Sequence, residues 1–141
     1  MGQIYFDDNA SSVIFRNNIV YSTGATQEYW TESGSGSPTC SDNLYYGNGG
    51  KPDFDNGEDT LNENPDLTAV GSEDFTLTSD SPCIDVGYDT SGTVAYDLDV
   101  LARPINSTMD MGAYEYNPGS APEGTSTAFL RGATLQGCTI K

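Results

Sequence analysis

The runs of β-forming residues in this chain are too short to build anything but a fold of many brief strands. Ile4-Tyr5-Phe6, Val13-Ile14-Phe15, Ile19-Val20-Tyr21, Leu44-Tyr45-Tyr46 and Phe75-Thr76-Leu77 are set off by nearby Asn, Asp, Gly or Ser, residues that end strands and start turns. Apolar residues do not recur at i, i+3, i+4 and i+7 over any useful window, so no helix is expected. With 35% hydrophobic residues, 16 Gly and 7 Pro, the 141 residues read as one thin-cored, all-β domain.

Two of these runs repeat. Asn17 opens "NNIVYSTG" and Asp42 opens "DNLYYGNG", which sets Asn18 and Asn43 about 25 residues apart, a spacing typical of stacked solenoid coils. Equivalent asparagines in such a stack meet at the turns, where their amides can hydrogen-bond in a ladder. Residues 47–66 then form an acidic, loop-rich insertion. Residues 117–127, "NPGSAPEGTST", have linker composition, and residues 128–141 read as a tail or one extra strand.

Charge and the missing histidine narrow the chemistry. Five Lys+Arg stand against 21 Asp+Glu, a formal charge of −16 with no His. Such a surface repels phosphate backbones and anionic lipids, which argues against nucleic-acid and membrane-surface partners. Without histidine there is no Ser-His-Asp or Cys-His arrangement and no His-ligated metal. No apolar stretch of membrane-spanning length and no signal peptide is seen. Cys40, Cys83 and Cys138 allow at most one internal disulfide; buried, hydrophobe-like thiols are the simpler expectation.

The order of the remaining motifs carries a resemblance. Asp74-Phe75-Thr76-Leu77, Ser81-Pro82-Cys83-Ile84-Asp85-Val86-Gly87, Asp97-Leu98-Asp99, Arg103-Pro104 and Asp110 to Tyr116 ("DMGAYEY") follow one another. Together with "NNIVY" and "DNLYY" this resembles the C-terminal end of a right-handed parallel β-helix protein of the pectate-lyase-like superfamily. The resemblance spans residues 1–116. It implies a short parallel β-helix closed by a loop-rich cap, in a bacterial extracellular or cell-surface protein. It also implies Ca²⁺ and an Arg or Lys base in members that cleave acidic polysaccharides. Because the first strand signal lies at Ile4, the N-terminal coil would expose an open edge. The expectation is a piece of a longer chain, or a homo-oligomer stacked through that end.

Several residues are candidates for chemistry. Arg16 is the basic residue on a strand-like run, so an elimination would depend on it; the stronger reading is an exposed strand arginine paired with a carboxylate on the next rung. Asp97 and Asp99 alternate with Leu98 and share one face of an extended strand about 7 Å apart, within the range of paired catalytic carboxylates. The stronger reading of Asp97, Asp99, Arg103 and Asp110 is a structural clamp, since an arginine fork suits carboxylates. Asp53, Asp55, Glu58 and Asp59 surround Gly57 with hard oxygen ligands suited to Ca²⁺, against a default of a solvated acidic loop. Tyr29, Trp30, Tyr45, Tyr46, Tyr88 and Tyr96 could stack sugar rings, against a default of covering the sides of a thin solenoid. In "DMGAYEY", Met111, Tyr114 and Tyr116 are expected to plug the end of the core while Asp110 binds arginine or backbone amides. The sequence therefore reads as a non-catalytic, carbohydrate-associated segment. The alternatives are a fragment of a polysaccharide lyase or glycoside hydrolase, and a unit that self-assembles end to end.

Overall fold

A computed structural model describes residues 12–22, 38–47, 50–52, 55, 57 and 59–119. Six short strands are formed: β1 (Ile14–Arg16), β2 (Ile19–Tyr21), β3 (Thr39–Ser41), β4 (Leu44–Tyr46), β5 (Leu67–Ala69) and β6 (Asp74–Leu77). A 3-10 turn, Val70–Ser72, lies between the last two. Among the described residues no helix is long and apolar enough to cross a membrane.

The two repeat copies stack. β1 pairs in parallel with β3 from Ile14↔Thr39 to Arg16↔Ser41, and β2 pairs in parallel with β4 from Ile19↔Leu44 to Tyr21↔Tyr46. Each copy bends between its strands at a residue in the left-handed region, Asn17 (φ 55°) or Asp42 (φ 53°). Asn and Asp tolerate that conformation better than other side-chain-bearing residues. The bends are themselves joined, Asn17 N donating to Asp42 O at 2.8 Å and Leu44 N to Asn18 O at 2.8 Å. Gly47, at φ 102°, ends the second copy: a Cβ there would lie 2.0 Å from Ser22 O.

The expected right-handed parallel β-helix does not form. The six strands make three separate two-stranded sheets, two parallel and one antiparallel. A solenoid requires successive coils to keep stacking, but past β4 only an isolated parallel bridge, Leu44↔Leu61, continues the ladder. The polar run Asn62-Glu63-Asn64-Pro65-Asp66 follows, with Asp66 at φ 47°. Proline has no amide hydrogen to give a ladder and left-handed backbone breaks strand geometry, so the chain turns away. β5 and β6 then pair antiparallel, Leu67↔Leu77 and Ala69↔Asp74, with an irregular register between.

Beyond β6 the described chain has no strand. Its one pairing is the antiparallel bridge Tyr96↔Ala102, and side-chain-to-backbone bonds fix the rest. The core is correspondingly small. Leu44, Leu77, Cys83 and Met111 are buried together, with Ile19, Tyr46, Leu61, Leu67, Ile84 and Tyr116 packed around them. "DMGAYEY" thus sends Met111 and Tyr116 to the core, and Gly112 N reaches back to Asn17 O at 2.8 Å. Tyr114 is half-buried.

Candidate functional site

Four side-chain groupings result from this fold. The first is a carboxylate clasp in the strandless segment. Arg103 Nε lies 2.7 Å from Glu115 Oε1, both side chains nearly buried, and Arg103 Nη2 donates to the Asp110 carbonyl at 2.6 Å. Asp97 accepts from Leu101 N and Glu115 N. Asp110 accepts from Asp85 N through Oδ1 and from Tyr116 N through Oδ2. Glu115 also accepts from Ile105 N and Asp110 N, and Asp85 Oδ1 from Ser107 N and Thr108 N. Carboxylates thus replace a β-ladder in satisfying backbone amides.

The geometry amends the clamp residue by residue. Asp97, Arg103 and Asp110 meet there, whereas Asp99 is exposed. The carboxylate that pairs with Arg103 is Glu115. Its signal was available: Glu115 is the sole glutamate between Arg103 and Tyr116, and it alternates with two tyrosines. Burial pushes the Asp110 carboxyl above the ordinary carboxylate range. The amides of Tyr116 and Asp85 oppose that rise, and the nearby Glu115 and Asp85 carboxylates add to it. Both oxygens of Asp97, Asp110 and Glu115 already accept hydrogen bonds, so none of the three is placed to work on a substrate proton.

The second grouping surrounds Asp55. This residue is fully buried and accepts from Asn43 Nδ2 at 2.9 Å, Tyr45 OH at 2.7 Å, Thr60 Oγ1 at 2.8 Å and Gly57 N at 3.4 Å. The insertion is therefore no solvated loop at this point. Asp55's oxygens are committed to donors, while Asp59 is exposed; Asp53 and Glu58 lie outside the described residues. Among the described residues no three His, Cys, Asp or Glu side chains are arranged to hold a metal. Tyr45, expected among the sugar-stacking aromatics, is fully buried. Burial, with the Asp55 carboxylate beside it, pushes its phenol far above the usual value, so it stays a donor. Strand alternation sets it on the opposite face from Leu44 and Tyr46, and Asp55 lies on that face.

The third grouping is aromatic. Tyr21 and Tyr46 are register partners on β2 and β4. Their ring centroids are 5.2 Å apart with planes inclined by 38°. Tyr46 packs one side on the core, and Tyr21 is 36% exposed. Tyr21 was not among the sequence candidates, although its place in the repeat, 25 residues before Tyr46, marks it. Tyr29 and Trp30 lie outside the described residues.

The fourth grouping is Arg16, whose guanidinium carbon sits 4.0 Å from the centroid of the Tyr88 ring. That contact, and not a base poised toward open space, is what β1 gives it. Among the described residues the single ion pair is Arg103–Glu115. Cys40 and Cys83 are both buried, and burial pushes the Cys83 thiol up to about 12, which makes it inert as a nucleophile. Cys138 lies outside the described residues.

No family model, curated protein or solved structure matches this chain. The likeness to the pectate-lyase-like superfamily rests on its quoted motifs alone.

Proposed function

We propose that this chain is a non-catalytic, carbohydrate-associated binding segment. The observation that carries the reading is the Tyr21–Tyr46 pair. Two adjacent rings, fixed by the β2–β4 register and left partly open to solvent, offer the flat apolar surface on which the C–H face of a pyranose packs. Gly47 and the Ser22 N–Tyr46 O bond at 2.9 Å fix the backbone behind them, so little ordering remains to be done on binding.

The state of the carboxylates supports the non-catalytic part. Glycoside hydrolysis needs one acid that can give its proton and one carboxylate open to the sugar or to water. Asp97, Asp110 and Glu115 are consumed by backbone amides and by Arg103, and Asp55 by the side chains of Asn43, Tyr45 and Thr60.

The test is calorimetric titration with a panel of soluble oligosaccharides, alongside product assays on pectin, alginate and xylan. Saturable binding that Tyr46→Ala weakens about tenfold, roughly 1.4 kcal/mol, with no product formed, supports the reading. Binding untouched by both Tyr46→Ala and Tyr21→Ala removes the platform, and product formation by the pure chain removes the non-catalytic assignment.

A further inference from the structure

We infer that Arg16 and Tyr88 form a second subsite, and that its ligand is a neutral sugar ring, not a uronate or other anion. The inference rests on the carbohydrate reading above and names the substrate class.

Arg16 is an oddity in a chain of this charge. With 21 carboxylates against five cations, each arginine has an excess of anionic partners to choose from. Arg103 has taken one, yet Arg16 pairs with no carboxylate among the described residues and lies over the Tyr88 ring. A guanidinium this close to an aromatic ring is held by cation–π attraction, which uses none of its N–H donors. Its Nε is buried with no hydrogen-bond partner, and so is Ser41 Oγ. Arg16 and Ser41 are register partners on β1 and β3. Two unpartnered polar atoms at one register level are costly, and natural proteins keep few of them.

The ring is held in advance. Asn17 brackets the Tyr88 backbone, accepting from its N–H at 2.7 Å and donating to its carbonyl at 2.8 Å. Just before it, Gly87 N donates to Met109 O at 2.7 Å. A Cβ on Gly87 would lie 2.8 Å from that same oxygen, so the loop is seated directly on buried backbone. Tyr88 itself remains 45% exposed.

The exposed part of the Tyr88 ring, beside terminal guanidinium N–H groups of Arg16 that make no hydrogen bond among the described residues, matches a molecule with an apolar face and a rim of hydroxyls, which describes a pyranose. The field of a −16 chain works against a carboxylated or sulfated sugar approaching the same spot. Neutral glycans feel no such penalty.

The experiment is calorimetry on the full chain with neutral hexasaccharides (gluco-, xylo- and manno-oligomers) and with hexagalacturonate, at low and high salt. Arg16→Met, Tyr88→Ala, Tyr88→Phe and Tyr46→Ala are run in parallel, with melting curves confirming that each is folded. The expected result is neutral-oligomer binding insensitive to salt, weakened roughly tenfold by Tyr88→Ala, several-fold by Arg16→Met, and little by Tyr88→Phe. Should Tyr88→Ala not fold, Arg16→Met and Tyr88→Phe still decide. Neutral binding lost in Tyr46→Ala but intact in Arg16→Met and Tyr88→Ala overturns this subsite and leaves the tyrosine platform standing. Tighter, salt-sensitive binding of hexagalacturonate overturns the neutral class while keeping the carbohydrate reading. Binding to none of these sugars overturns both.

Discussion

Asn18 Nδ2 donates to Asn43 Oδ1 at 3.0 Å, joining two residues 25 positions apart at the same point of the two repeat copies. Asn43 is fully buried and spends its whole hydrogen-bonding capacity there. Its Oδ1 also accepts from Asn18 N, and its Nδ2 donates to Phe15 O and to Asp55 Oδ2. One side chain thereby ties both stacked copies to the buried aspartate of the insertion.

Asn43→Ala should be among the most damaging substitutions in the chain. It strips a donor from a buried carboxylate, removes a bond to the Phe15 carbonyl and takes away the acceptor of the Asn18 backbone N–H. At about 1–3 kcal/mol for each buried group left unsatisfied, a loss of roughly 3 kcal/mol or more is expected in urea unfolding. A variant within about 0.5 kcal/mol of the parent would show that the asparagine pair is incidental.

Glu115→Gln tests the clasp. The Arg103–Glu115 pair is almost wholly out of water, and removing one charge of a buried pair costs about 3–5 kcal/mol because the other is left uncompensated. Arg103→Met should cost a similar amount, and the double variant should lose much less than the sum. The coupling energy from the double-mutant cycle is the measurement; additive losses would mean that Glu115 acts only through the Ile105 and Asp110 amides.

The parts of the fold legible in the sequence were those written as repeats. The spacing of Asn18 and Asn43 announced the parallel stacking of β1–β2 on β3–β4, and the inward asparagines with it. What misled was extending that pattern along the chain. From Asn62 to Asp66 the residues neither pair nor pack as a coil, and after Leu77 the amides of Asp85, Leu101, Glu115 and Tyr116 bind carboxylates instead of strands. Such bonds join side chains to backbone across loops and leave no periodic trace. Tyr45 shows the same limit on a smaller scale: alternation separates it from Tyr46, but only the position of Asp55 determines which of the two turns inward.

Gly47→Ala should destabilise strongly, because the site fails an added methyl twice over. Its φ of 102° is unfavourable for a residue with a side chain, and the Cβ would fall 2.0 Å from the Ser22 carbonyl oxygen, which is backbone and cannot swing aside. A loss of about 3 kcal/mol or more is expected from strain and overpacking combined. Thermal melting of Gly47→Ala beside Gly92→Ala, where nothing lies near the added Cβ, is the comparison. Equal melting temperatures would contradict the tight closure at Ser22.

The pH dependence contributed by Asp110 should run opposite to ordinary acid denaturation. Its folded-state carboxyl is raised above the ordinary range, first by burial and then by the Glu115 and Asp85 carboxylates. A raised acid binds its proton more tightly in the folded protein than in the unfolded one. Its stabilising contribution is therefore fully present below the unfolded value, near 4, and is lost as pH rises through the folded value. Measured as unfolding free energy from pH 7 down to pH 4, the difference between the parent and Asp110→Ala should shift in favour of the parent on acidification. For one proton that slope is bounded at about 1.4 kcal/mol per pH unit. That slope reads the Asp110 proton together with its coupling to the Glu115 and Asp85 carboxylates. A difference that grows on raising the pH would instead mean that the Asp85 and Tyr116 amides outweigh burial and hold Asp110 below the ordinary range.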